Sequence, residues 1–220
     1  MLEEVLYSLL FVLAEGCRWR AIHRPGLSWI TVYKYWRRWC QSGLWEKFLT
    51  QWNKHHSGDI AWVDSTCVKV HKSATNAQGE AAAQAIGRTK GGPNTKIHVA
   101  VDHHGQPISL LLSAGNEADV TYAEPLLVDG DCKVVVADKG YDSDLLRDWL
   151  RSQGMEPCIP PRSNRRTPEA YSFEHYRKRH LVENYFEKIK WFRRVATRYD
   201  KLYETYFGFV CLAAAILAKS

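Results

Sequence analysis

The segment Lys133-Val-Val-Val-Ala-Asp138 constrains the fold of this chain more than any other stretch. An unbroken β-branched run reads as a strand buried on both faces. Such strands belong to sheets covered by helices on each side. The run ends in a carboxylate, and the carboxyl ends of parallel strands are where open α/β sheets carry ligands. Upstream, IAWVDSTCVKV from Ile60 is a second β-branched run, and TKIHVAVD, HHG and PISLLLSA read as an antiparallel hairpin. Between these strands, Lys72 to Asn94 is rich in Ala, Gly and basic residues without apolar period, and is expected to be a surface loop.

Downstream, Asp119 is the expected N-cap of a helix through Val128. Asp142 or Ser143 caps DLLRDWLRSQ, which stops at Gly154, and MEPCIPP supplies a fifth strand. A polar, proline-containing connector leads to a long helix from about Phe173 to Val195. Three mostly antiparallel strands, then helix, strand, helix, strand, helix, is the order of an α/β, ribonuclease-H-like mixed five-stranded sheet flanked by helices. The first third of the chain is helical instead. Leu2 to Ala14 closes at Gly16, a short piece surrounds Trp19 to His23, and Ser28 caps a helix to about Cys40. This predicts a small helix-turn-helix-like DNA-binding segment over residues 1–56 and a ribonuclease-H-like domain over 57–220. Lys34, Arg37 and Arg38 of its last helix are the candidate DNA contacts, interleaved with Trp29, Tyr33, Tyr35, Trp36 and Trp39. An ordinary three-helix cap with aromatic packing is the competing explanation.

Charge and cysteine usage narrow the class of partner. A net charge of +6 with a sequence pI near 9.0 favours nucleic acid or another anionic surface. From Arg162 to Lys201 there are 12 Lys or Arg residues against 5 Asp or Glu, so the excess is concentrated there. The six cysteines contain no C-x-x-C pair, which argues for reduced thiols and against a disulfide frame or structural zinc. The apolar stretch from Val5 to Ala14 follows Glu3 and Glu4, the wrong charge for a signal peptide. The terminal run from Tyr206 to Ala218 is too short to span a bilayer comfortably. A cytoplasmic protein without membrane association is the expectation.

Three carboxylates stand out as candidates for chemistry. Asp64 lies inside a strand that otherwise seeks burial, and Asp138 ends the VVVA run. An ionised carboxylate is expensive to bury without a partner or a metal. Asp102 also ends an apolar run, but His103, His104 and Gly105 make it a turn residue. On the last long helix, about 100° per residue from Tyr176 places Arg179 at about 300°, Glu183 at about 340° and Lys190 at about 320°. These four form one stripe opposite an apolar face of Leu181, Val182, Tyr185, Ile189 and Phe192. A solvated face with an Arg/Glu pair at i, i+4 spacing would look the same. The adjacent pairs His55-His56 and His103-His104 point apart on a strand and suggest no metal site of their own.

The segments WVDST (62–66), GRTKGGPNTKIHVAVD (87–102), VADKGYDS (136–143) and Tyr176-x2-Arg179-x3-Glu183-x6-Lys190 resemble DDE transposases of bacterial insertion sequences, specifically the insertion-sequence-five family. The N-terminal GCRWRAI and SWITVYKYWRRW look like that family's helical DNA-binding segment, so the resemblance covers nearly the whole chain. It implies that Asp64, Asp138 and Glu183 form a catalytic triad holding two Mg²⁺ ions, with Mn²⁺ as a substitute, about 3.5–4 Å apart. It further implies metal-dependent strand cleavage and strand transfer at element ends. Tyr176, Arg179 and Lys190 would position the DNA backbone, with Arg88, Lys90 and Lys96 as further contacts. The partners implied are double-stranded DNA, as terminal inverted repeats and target, and a second copy of the chain in a homodimer or larger assembly. Family members usually carry a few tens of residues before the position of Met1, which implies truncation or a split reading frame. Two alternatives follow: a nuclease of the same fold that only hydrolyses, and an inactive or truncated relic acting only as a DNA-binding protein at the inverted repeats.

Overall fold

A computed structural model describes residues 1–53, 58–75, 82–128 and 130–218. The 56/57 boundary and His55-His56 therefore lie outside the described residues. The helical segment consists of α1 (Leu2–Glu15), a short 3₁₀ turn (Trp19–Ala21), α2 (Trp29–Gln41) and α3 (Leu44–Asn53). Ser28 caps α2 as expected, its hydroxyl accepting from the Ile30 amide at 3.3 Å. Gly16 ends α1 at φ 63°, the left-handed conformation that lets the chain leave the helix.

The strands are β1 (Ile60–Val70), β2 (Gly87–Thr89), β3 (Gly92–Val101), β4 (Pro107–Ala114), β5 (Val134–Val136), β6 (Glu156–Cys158) and β7 (Thr197–Arg198). β1 runs antiparallel to β3, and β3 antiparallel to β4. The other edge of β1 pairs parallel with β5, and β5 parallel with β6. Five columns, β4-β3-β1-β5-β6, thus make the mixed ribonuclease-H-like sheet that the element order predicts. Short β2 extends the β4 column and β7 the β5 column. The stretch expected to be a plain loop therefore contains a hairpin, since β2 pairs with Gly92–Asn94 across Lys90 and Gly91.

Side-chain alternation along β1 divides the interior in two. Trp62 and Val68 face one core with Val99, Val182, Tyr185 and Phe209. Ala61 and Val63 face the other with Val135, Leu146 and Leu150, under α4 (Ala123–Leu127) and α5 (Asp144–Ser152). Asp119 opens a 3₁₀ turn (Asp119–Tyr122) before α4 rather than capping a continuous helix, because its carboxylate is drawn to Ser65 and Lys96 on the sheet. The expected long helix is also broken, into α6 (Phe173–Arg177), α7 (His180–Ile189) and α8 (Arg193–Ala196). α9 (Tyr203–Leu217) is buried on every side from Thr205 to Ala215, as an all-round apolar helix must be. No helix among the described residues is long and apolar enough to cross a membrane.

The first core is shared between the helical segment and the sheet. Val5, Leu9, Val12, Leu13, Val32 and Trp36 belong to the same buried cluster as Trp62, Ile97 and Phe209. Trp36 stacks on Phe209 with ring centroids 4.1 Å apart. Gly208 permits that approach, because a Cβ there would lie 2.6 Å from the Cys40 sulfur and 3.1 Å from the Trp36 ring.

Candidate functional site

The parallel register of β1 and β5 places Trp62 opposite Val136, so Asp64, still within β1 and paired with Val99 of β3, lies at the level of Asp138, two residues past the end of β5. Asp138 turns back on its own chain, its Oδ1 accepting from the Gly140 amide at 2.7 Å. Asp64 is held from both sides. Oδ1 accepts from the Ser65 amide at 2.8 Å, and Oδ2 from an Arg179 guanidinium nitrogen at 2.6 Å. The second terminal nitrogen of Arg179 binds Glu183, one helical turn away. Arg179 therefore forks between two carboxylates on different elements, the geometry for which a planar guanidinium is suited.

Electrostatics follow from this packing. Burial pushes the Asp64 carboxyl above the usual carboxylate range. The Ser65 amide and Arg179 pull against that shift, and the nearby Asp138 adds to it. Burial alone would lower the Arg179 guanidinium, but Asp64 and Glu183 outweigh it and hold the group above its ordinary value. Lys190, at the end of α7, donates to the Thr66 hydroxyl at 2.6 Å, and burial lowers its ammonium. Asp64, Thr66, Arg179, Glu183 and Lys190 thus lie on one continuous surface. Tyr176 lies on α6, a separate helix, with its ring edge-on to Tyr171 at 5.5 Å.

This geometry corrects the expectation of a metal centre. Among the described residues, no group of three or more His, Cys, Asp or Glu side chains is placed to hold a metal ion. The reason is visible in the side chains. The cationic position between Asp64 and Glu183 is filled by Arg179, while Asp138 spends an oxygen on its own turn. The donor set does not fit the two Mg²⁺ ions, or substituting Mn²⁺, that the resemblance implied. The readings of the chain as a two-metal DDE-type DNA transposase or endonuclease, and of metal-dependent cleavage and strand transfer as its function, are withdrawn with the metal. The DNA-binding alternative accords better with the arrangement.

The remaining basic candidates divide sharply. Lys34 and Arg38 are exposed on α2, and Arg88 and Lys90 are exposed on the β2 hairpin. Arg37 lies 4.0 Å from Glu204. Lys96 is turned inward, its ammonium 2.8 Å from Asp119 and 2.7 Å from the Glu117 carbonyl. The aromatic residues interleaved in α2 are largely packing, with Trp36 and Trp39 both against Trp45. Several arginines of the 162–201 excess also have structural work. Arg194 is buried in a two-pronged pair with Asp200, and buried Arg198 donates to Thr95 and the Ala85 carbonyl. Arg165 binds Asp142, Asp144 and Glu169.

Sequence reasoning missed the network behind the Asp138 turn. Buried Asp142 accepts from Arg147 at 3.0 Å, from Arg165 at 2.8 Å and from the Arg162 amide at 2.8 Å. The Arg162 side chain ties back to the carbonyls of Lys139 and Gly140. The one available signal was the carboxylate of YDS beside an arginine-rich connector, which reads equally well as a helix cap. On the other sheet face, buried His98 meets the Ser113 hydroxyl at 2.7 Å and stacks on Tyr122, and burial lowers its imidazole to about 4.

A mixed sheet of this order, flanked by helices and preceded by a small helical unit, defines a protein of the ribonuclease-H-like fold class. Residues 55–217 match the family described as "Transposase DDE domain", and the chain belongs to that family. Residues 2–49 match a second family, described as "Putative transposase of IS4/5 family". The chain is 34% identical to the "Putative transposase for insertion sequence element IS6501" of Brucella ovis, across 56% of this chain and 96% of that protein. It is 31% identical to the "Putative transposase for insertion sequence element IS402" of Burkholderia cepacia, across 60% of this chain and 69% of that protein. Among solved structures, a piggyBac transposase synaptic complex with hairpin DNA aligns at TM-score 0.41 and 15% identity, over 74% of this chain. This chain spans 43% of that one. A Mos1 transposase paired-end complex aligns at TM-score 0.31 and 12% identity, over 84% of this chain and 77% of that one.

Proposed function

We propose that the chain is a DNA-binding protein of the insertion-sequence-five branch of DDE-domain transposases, engaging the terminal inverted repeats of an element. The observation that carries this reading is the contrast between its two sets of cations. Arg179, Arg194, Arg198 and Lys96 are tied to the protein's own groups. Lys34 and Arg38 on α2 and Arg88 and Lys90 on the β2 hairpin are exposed and make no ion pair with the described residues. Exposed cations of this kind meet phosphates, and each phosphate neutralised releases condensed counterions. The match over residues 2–49 supports the branch, and the names of the two relatives support an insertion-sequence protein. Holding two element ends takes two copies, so the complex on DNA is a homodimer or larger.

Binding of a labelled inverted-repeat duplex, followed by fluorescence anisotropy across a salt series without divalent ions, tests this. The logarithm of affinity should fall linearly with that of salt. Lys34→Ala and Arg88→Ala should each reduce the slope by about one contact. No binding at low salt, or an unchanged slope in both variants, would refute it. Saturating Mg²⁺ is expected to produce no cleavage of the bound duplex.

A further inference from the structure

Between the helical segment and the chain around α8 lies a cavity of about 450 Å³. Trp19, Trp29, Tyr33 and Tyr199 line it with Asp200 and Thr205, and it takes no part in the carboxylate site. Its size falls within the range of about 300–1,000 Å³ typical of small-molecule sites. We infer that this cavity receives an unstacked nucleobase of the bound DNA, with the adjoining phosphate at Arg20 and Lys201.

Three features carry the inference. The first is the wall. Trp29 and Tyr33 are one turn apart on α2 and share a face, and Trp19 meets Tyr33 edge-on at 5.1 Å. Trp29, Tyr33 and Tyr199 are only partly buried. A half-exposed aromatic face beside an open cavity is a stacking platform, and bases stack on such rings regardless of sequence. The second is the charge at the rim. The Arg20 guanidinium lies over the Trp29 ring at 5.6 Å, and Lys201 is exposed. A planar ring recognised beside two cations has the chemistry of a nucleotide, not of an apolar peptide.

The third is the polar floor. Asp200 is 6% exposed and Thr205 3%. Both Asp200 oxygens accept from Arg194, at 2.8 and 2.9 Å, and retain lone pairs. The Thr205 hydroxyl donates to the Leu202 carbonyl at 3.0 Å, which leaves its oxygen as an acceptor. A floor of acceptors suits a base edge bearing an exocyclic amine, so adenine is the base to test. Arg194 locks this floor, since it also donates to the Cys17 carbonyl at 3.0 Å and lies over Trp19 at 5.5 Å.

The inference rests on the DNA-binding reading, and the test separates the two. The full chain is titrated with an inverted-repeat duplex carrying one unpaired terminal 2-aminopurine, and with the same duplex carrying an abasic residue there. The base-bearing duplex should bind about tenfold tighter, with its fluorescence quenched by the stacked rings. Trp29→Ala should abolish both the preference and the quenching, and Trp29→Phe should restore them. Equal affinity for the two duplexes, or quenching indifferent to Trp29→Ala, would overturn the pocket while leaving duplex binding intact. Absence of binding to either duplex would overturn both readings. The comparison of duplexes on the unaltered chain needs no variant to fold.

Discussion

Arg179 answers to two carboxylates of unequal burial: the Asp64 side chain is 20% exposed and that of Glu183 52%. The exposed arm is a helix-surface pair of the kind worth a few tenths of a kcal/mol. The inner arm opposes a desolvation cost that it does not fully repay, because the Asp64 carboxyl remains shifted upward by burial. The sign of the pH effect follows. Native Asp64 keeps its proton to higher pH than the unfolded chain does. Its contribution to stability is therefore full below the ordinary carboxylate value, and is lost as pH rises through the raised native one. A neutral isostere keeps what the ionised carboxylate loses. Asp64→Asn should accordingly melt above the wild type at pH 7.5, with the gap closing as pH falls below about 4. Thermal unfolding across that range decides it, and a variant less stable at pH 7.5 would mean that the Arg179 pair outweighs burial. The cost of burying Asp64 follows from strand patterning, whereas its level with Asp138 comes from the β1–β5 register. That Arg179 would reach across 115 positions to fill the space between carboxylates does not follow from the sequence, since spacing on a helix says which residues share a face but not what they meet.

At the scale of elements, β1, β3 and β5 were legible because each carries a run of β-branched residues, and the break in the last helix was not. Arg179 and Lys190, at the two ends of α7, both keep right-handed backbone angles, so the turns need neither Gly nor Pro. The apolar spacing runs on through them, and a stripe drawn on one continuous helix places Tyr176 wrongly with respect to Glu183. The β2 hairpin escaped notice for the opposite reason, being three residues long and glycine-rich. Where glycine does mark an end, the mark has a second cause. Gly16 ends α1 in the left-handed conformation, and a Cβ there would also lie 3.0 Å from the Arg193 Cβ on α8. Conformation alone costs a β-carbon about 1–2 kcal/mol, and the contact adds to it. Gly16→Ala should therefore destabilise the protein by about 2 kcal/mol or more. Asn tolerates the left-handed region better than Ala, but Gly16→Asn should recover only part of the loss, because its Cβ meets the same obstruction. Full recovery in urea unfolding would show that α8 yields and that the backbone angle is the whole requirement.

At the scale of the molecule, the sequence suggests a reader segment beside a sheet domain, whereas the interior joins them. The change in periodicity near Ile60 is real, but periodicity records which element a residue builds, not which core it enters. Trp36 of α2 is fully buried against Phe209, and Gly208 is bare to admit it. α9 comes last in the chain, yet it packs on both α2 and the sheet side of the core, so the helical segment gains its inner wall only when the C-terminal helix is in place. Removing the Trp36 indole should cost about 3–5 kcal/mol, the loss expected for a large buried aromatic. If the two regions form one cooperative unit, that loss must be felt in both. Hydrogen exchange gives the measurement, because amides that open only through global unfolding report the full change in stability. In Trp36→Ala, the slowest amides of α1 and those of β3 from Ile97 to Val101 should lose protection by the same factor. Loss confined to α1 and α2, with β3 still protected as in the wild type, would mean that the helical segment opens by itself. The cavity between α2 and the α8 region would then be a moving seam rather than a formed site.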